Sequence, residues 1–182
     1  MCKVALGSSI FKATVNLANL DEQIYEDISL TIALHPSETE ERMMIRICAF
    51  LFSFEERLEF SDGLNNPDSP DAWKKNLMGD VEHWIEIGQP DDKKIRKACG
   101  RSERVSVFSF NSFKTEAWFE KIKTKIKKNK NLEVFHLGVE NQHDFENLVA
   151  RTMNLNCVIE DKAMFLSDEN LRVQISQEKK IF

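Results

Sequence analysis

Three consecutive segments constrain the fold most. Residues 105–110 form a strongly apolar strand, residues 114–128 carry Ala117, Trp118, Ile122 and Ile126 at helical spacing, and residues 132–137 return to strand character. Strand, helix, strand in succession is a β-α-β unit, so its two strands run parallel. The chain is therefore expected to be α/β, with a mixed β-sheet and flanking helices.

The preceding region supplies the rest of a core. Residues 10–20 and 27–34 alternate apolar and polar side chains at period two, which predicts two strands forming a hairpin or flanking a short helix. His35-Pro36 stops the second. Ser37 with Glu40 three residues on is a capping-box signature, and acidic Glu38, Glu40 and Glu41 suit the positive end of a helix dipole. Met43, Met44, Ile47, Cys48, Phe50 and Leu51 give that helix an apolar stripe to about Phe54.

A short strand at 57–60 follows, closed by a turn at 61–63, and residues 65–70 form a turn-rich loop. Residues 71–75 and 81–87 read as a hairpin joined around Met78-Gly79-Asp80, and 92–99 as a helix with Gly100 at its C-cap. A short helix at 144–151 precedes three strands at 155–159, 163–166 and 171–175. These form an antiparallel meander with a turn at 160–162. The expected architecture is an αβββαβ core with additional N- and C-terminal antiparallel strands, all in one domain over residues 1–182.

Composition excludes several classes. The net charge of −5 argues against a large sequence-independent phosphate-binding surface, although residues 121–130 form one strongly basic stretch. Its lysines alternate with Ile122 and Ile126, as on an amphipathic helix with a solvated basic face. Cys2, Cys48, Cys99 and Cys157 form no C-x-x-C pair, and Cys48, Cys99 and Cys157, each among apolar residues, read as free core thiols. The N-terminus lacks a signal-peptide apolar stretch and no run approaches a membrane span, so a cytoplasmic protein is expected. No Walker, dinucleotide or G-x-S-x-G pattern occurs, and the four histidines show no metal-ligand spacing. His35 and His83 read as structural, and Trp73, Trp84 and Trp118 as partly buried core aromatics.

One constellation could carry chemistry. On the strand 81–87, alternation places Glu82, Trp84 and Glu86 on one face and Val81, His83, Ile85 and Ile87 on the other. Asp71 begins the hairpin partner. Carboxylates on adjacent strands can hold a hard divalent cation such as Mg²⁺, with Mn²⁺ as a substitute. Glu41 shares a helix face with Met44, Ile45, Cys48 and Phe52, and an acid on an apolar face needs a partner or a metal. The bland alternative is that Glu38 and Glu41 only satisfy the helix N-terminus.

This order of elements resembles the PD-(D/E)XK nuclease superfamily. There, metal-assisted attack on a phosphodiester uses an Asp, a Glu or Asp, a helical Glu and a Lys. Pro70-Asp71 matches the first element and Glu86 the second, but Glu86-Ile87-Gly88 has glycine where lysine is required. Lys94 or Lys97, on the next helix, could stand in for it, and Gln89 is a further polar candidate.

A closer resemblance is carried by the stretches HPSETEERMM (35–44), WIEIGQPD (84–91), KAC (97–99), RTMNL (151–155) and FLSD (165–168). In combination they resemble the YaeQ family nearly end to end. The resemblance implies a bacterial protein with a variant nuclease-like core, and fold membership does not itself establish catalysis. Two functions are therefore expected to compete. One is a Mg²⁺-dependent nuclease or phosphodiesterase, in which Asp71, Glu86 and Glu41 hold the metal and Lys94 or Lys97 activates water. The other is a catalytically inactive nuclease-like fold that binds nucleic acid or protein. Hydrolysis of another phosphorylated substrate is a weaker third. Lys121, Lys123, Lys125, Lys127 and Lys128 are the candidate nucleic-acid contacts.

Overall fold

A computed structural model describes residues 7–61, 66 and 68–182. β1 (Ser9–Asn19) and β2 (Ile24–Leu34) form an antiparallel hairpin, with no helix between them. There follow α1 (Glu40–Phe52), β3 (Leu58–Phe60), β4 (Ala72–Lys75), β5 (Val81–Ile87), α2 (Asp92–Cys99) and β6 (Ser102–Phe110). This is the expected αβββαβ order. α3 (Ser112–Ile126) and β7 (Leu132–Val139) complete the β-α-β unit, and α4 (Gln142–Asn147) is a short helix. β8 (Thr152–Glu160), β9 (Ala163–Ser167) and β10 (Arg172–Lys179) form the meander. The turn expected at 61–63 and the loop at 65–70 lie partly outside the described residues.

All these strands join one mixed sheet in the order β2-β1-β8-β9-β10-β7-β6-β5-β4-β3. β5, β6 and β7 are parallel, while β3, β4 and β5 are antiparallel. β1 also runs parallel to β8, with Lys12 opposite Thr152 and Asn19 opposite Ile159. That pairing joins the two terminal parts of the chain.

The helix α1 departs from the expectation in two ways. It starts later than the Ser37 pattern predicts, because Thr39 is the N-cap and its Oγ1 accepts the Arg42 N–H at 3.2 Å. Ser37 is instead engaged with His35 Nδ1 at 2.7 Å. Moreover, every residue from Met43 to Leu51 is buried. A helix buried on all sides needs cover on all sides. Val15, Ile32, Cys157 and Ile175 from the sheet and Phe145 from α4 share one core with it. This helix is enclosed rather than flanking.

Two helices do flank the sheet. On its other face, Ile95 and Ala98 of α2 and Phe119, Ile122 and Ile126 of α3 pack on Trp84, Val105, Val107 and Val134. The parallel strands are therefore covered on both faces, as parallel strands generally are. Glu86 and Trp84, on the face that alternation left open between buried and solvated, lie beneath these helices.

No described helix is long and apolar enough to cross a membrane. Cys48, Cys99 and Cys157 are free thiols, and burial pushes Cys99 up to about 11 and Cys157 up to about 12. Neither of these two is activated as a nucleophile.

The β8–β9 turn provides a test of local backbone chemistry. Glu160 pairs with Ala163 across a two-residue loop, and Asp161 and Lys162 both have positive φ (51° and 61°). This is the geometry of a type I′ hairpin, in which glycine is favoured at the second position. Lys162→Gly is expected to stabilise the protein by about 0.5–1 kcal/mol, less than the full left-handed penalty because glycine also loosens the unfolded chain. A raised urea midpoint with an unchanged slope would show this.

Candidate functional site

The motif residues converge at the carboxyl end of β5. Extending the β4–β5 register by one step beyond the Ala72–Ile85 pair sets Asp71 across from Glu86, and Asp71 N–H donates to Ile85 O at 2.9 Å. The Asp71 carboxylate also accepts the Ile87 N–H at 2.8 Å. It therefore caps the strand where the ladder ends.

Its counter-charge is Arg42 from α1. One guanidinium nitrogen lies 2.8 and 3.0 Å from the two Asp71 oxygens and 3.2 Å from Ile87 O, while the other donates to Glu38 at 2.6 Å. Glu38 also receives Arg46 at 3.1 Å. Burial works against the Arg42 charge, but Asp71 and then Glu38 outweigh it and hold its pKa above the usual arginine value. Arg46, buried deeper, is pushed down by burial, and its Nε has no hydrogen-bond partner among the described residues.

Glu86 is neutralised from the other face. Its Oε1 accepts Trp84 Nε1–H at 2.8 Å and its Oε2 accepts Lys94 Nζ at 2.6 Å. Burial pushes its pKa up, Lys94 partly offsets this, and the nearby Asp71 charge adds to the rise. The α2 N-cap, Asp91, fixes the helix start and so the reach of Lys94. Lys97 instead pairs with Asp68, and Gln89 donates to Phe110 O at 2.9 Å.

Gly88 occupies the position where the nuclease motif would have a lysine. Its φ is +99°, a conformation that strains any L side chain, although a Cβ would meet nothing within 4 Å. Backbone geometry, not space, requires glycine there. The amine that meets Glu86 is that of Lys94 on α2.

Glu41 does not join this group. It lines a cavity of about 350 Å³ with Phe110, Ser112, His136 and Glu146, at the carboxyl ends of β6 and β7. Among the described residues, no three Asp, Glu, His or Cys side chains gather as a metal would require. The donor set does not fit a divalent cation as arranged. Asp71 already faces a guanidinium on both oxygens, and the six charged groups Glu38, Arg42, Arg46, Asp71, Glu86 and Lys94 sum to zero.

The apolar-face argument ranked Glu41 above Glu38 and missed Arg42. Glu38, Arg42 and Arg46 stand at i, i+4 and i+8. That spacing was a readable signal for an ion-paired stripe entering the core.

Lys94 can be tested through pH. Because the folded-state pKa of Glu86 is raised, its contribution to stability is full below its unfolded pKa and is lost as pH rises through the folded one. Lys94→Met removes the counter-charge and deepens that loss. Relative to the wild type, the variant should be nearly unchanged near pH 4 and weaker by roughly 1–3 kcal/mol near pH 8, discounted because Lys94 reaches solvent. Urea unfolding at both pH values is the measurement.

Comparison with known proteins places this arrangement. The family model described as YaeQ protein matches residues 4–177. The chain is 40% identical to the uncharacterized protein YaeQ of Escherichia coli (strain K12) over 173 residues, 95% of this chain and 96% of that one. The crystal structure of the YaeQ protein from Xanthomonas axonopodis pv. citri is similar at TM-score 0.90 and 34% identity, over 95% of this chain and 98% of that one. That from Pseudomonas syringae has TM-score 0.88 at 34% identity, over 96% of this chain and 97% of that one. Family match, relatives and fold agree over nearly the whole length, and the chain belongs to the YaeQ family.

Proposed function

We propose that this protein is a non-cleaving binding module on a nuclease-like framework, with the lysine-rich end of α3 contacting a nucleic-acid backbone. The observation that carries the non-cleaving part is the guanidinium of Arg42 on both oxygens of Asp71. A carboxylate that holds an internal cation in a neutral cluster has no excess charge for a second, divalent one. Breaking such a pair is costly, which gives it a structural use.

The binding surface follows from charge. Lys123 pairs with Glu120 and Lys125 approaches Asp92 at 3.5 Å, whereas Lys121, Lys127 and Lys128 are exposed and make no ion pair among the described residues. The position of Lys127 and Lys128 at the negative end of the α3 dipole accounts for some of this enrichment. Their freedom from partners leaves them available to phosphates.

A second reading has one specific observation in its favour. Lys94 Nζ lies 2.6 Å from Glu86, the contact a displaced motif lysine would make in a phosphodiesterase. On either reading Asp71→Asn is expected to cost roughly 3–5 kcal/mol, because Arg42 is left without its partner charge. The two readings differ in cleavage: the module cleaves nothing, whereas a site kept for chemistry shows Mg²⁺- or Mn²⁺-dependent cleavage that the variant loses. Urea unfolding of the variant measures the cost, and a cleavage assay of wild type and variant on DNA and RNA separates the readings.

For binding, Lys127→Glu with Lys128→Glu should weaken association with single-stranded nucleic acid. The slope of log affinity against log salt should shrink by about 1 per lost contact. Unchanged fluorescence-anisotropy titrations across salt would remove α3 from the interface.

A further inference from the structure

At the other end of the parallel strands, a second polar cluster lies on the α1 face. Glu55 Oε1 is 2.9 Å from His83 Nδ1, and His83 Nε2 is 2.9 Å from Ser106 Oγ. All three line a cavity of about 400 Å³ together with Arg104, Asn19 and Phe52. From these contacts we propose that Ser106, His83 and Glu55 form a nucleophile, its base and the base's orienting group, an acyl-transfer site for small carboxylic esters. This goes beyond the reading of the motif site and is independent of it.

The chemistry of each group fits its place. Burial works against the Glu55 charge, but hydrogen bonds from His83 and Lys74 and the Arg104 charge hold its carboxyl down at about 2. An ionised carboxylate facing Nδ1 places the proton on Nδ1, which leaves Nε2 as the acceptor for the Ser106 hydroxyl. Burial and the Arg104 charge push the His83 pKa below its ordinary value against the opposing pull of Glu55, so the imidazole is neutral at physiological pH. Nothing in the αβββαβ motif uses these residues.

Ser106 lies within β6, and its neighbours pair on both sides with β5 and β7. Backbone N–H groups there belong to the ladder, so oxyanion donors must be side chains. Arg104 is the cation on this wall. It donates to Glu55 (2.6 Å) through one nitrogen, which also lies 2.9 Å from His83 Nδ1 but makes no hydrogen bond there because Nδ1 donates to Glu55, and a guanidinium carries five N–H donors.

In the reaction, Ser106 Oγ bonds to the ester carbonyl carbon while its proton passes to His83 Nε2 and the carbonyl π pair moves to oxygen. Collapse of the adduct breaks the ester C–O bond, and the departing alkoxide takes the proton from His83. Water then repeats the sequence on the acyl-serine, releasing the acid and restoring the Ser106 hydroxyl.

The surroundings select the acyl group. A neighbouring cavity of about 520 Å³ shares Asn19, Glu22, Phe52 and Gln177 with this one and adds Asp21, Asp161 and Lys162. Carboxylates outnumber cations along the combined groove. Neutral or cationic esters are favoured, and phosphates or dicarboxylates are repelled.

The test starts from the wild-type protein with a fluorophosphonate probe. One adduct should form at Ser106, identified by peptide mass, and none there once the protein is unfolded in urea. Ser106→Ala should abolish it, and His83→Gln should slow it at least about tenfold. Glu55→Gln, a positioning change, should lower the pH midpoint of labelling, because Glu55 raises the His83 pKa. The folded protein should also hydrolyse the 4-nitrophenyl ester of a cationic amino acid faster than that of a dicarboxylate. No adduct on folded wild type, an adduct confined to other serines, or equal labelling of folded and unfolded protein would overturn the proposal.

Discussion

The guanidinium of Arg42 is the point at which the two halves of this molecule are fastened. It reaches from α1 to Asp71 at the start of β4 and to the last carbonyl of β5, and it holds Glu38 in the turn just before its own helix. The helix behind it is buried over nine consecutive positions, so its axial placement decides how every surrounding side chain packs. Hydrophobic burial drives α1 into the sheet but has no direction. The charged hydrogen bonds at its N-terminus supply the direction.

The same contact changes the meaning of the Pro70-Asp71 element. A motif acid is recognised in sequence by its neighbours along the chain. Its chemistry depends on which charge lies opposite, here contributed from 29 residues away. Asp71 and Glu86 are indeed juxtaposed, yet each faces its own cation, Arg42 for one and Lys94 for the other. The two carboxylates share a site without sharing an ion.

What the sequence disclosed follows the range of each interaction. The α2 helix was legible from residue 92 to residue 99 because its cap, amphipathic stripe and terminal glycine are all local. The β-α-β unit and the meander were legible for the same reason. The β1–β8 pairing was not, since neither strand carries a mark of its partner. Glu41 was favoured over Glu38 because helical spacing sets it beside apolar positions. The deciding feature was the arginine stripe one turn apart, which turns Glu38 inward to 9% exposure. Gly88 was visible as a missing lysine, but only its positive φ explains the absence.

The strand β5 shows how one short segment can serve both clusters. Its residues alternate between faces, and both faces are covered, so any polar side chain on it must find its partner inside the protein. His83 points toward α1 and is held by Glu55 and Ser106; Glu86 points toward α2 and is held by Trp84 and Lys94. Burial raises the pKa of the acid and lowers that of the histidine, so it disfavours the charged form of each. Glu86 stays pairable because a lysine reaches it from solvent, whereas His83 stays neutral because burial and the Arg104 charge outweigh its carboxylate partner. The first arrangement absorbs a charge and makes a rigid joint. The second keeps a basic nitrogen beside a hydroxyl and a cavity, which is the condition a proton-transfer site requires.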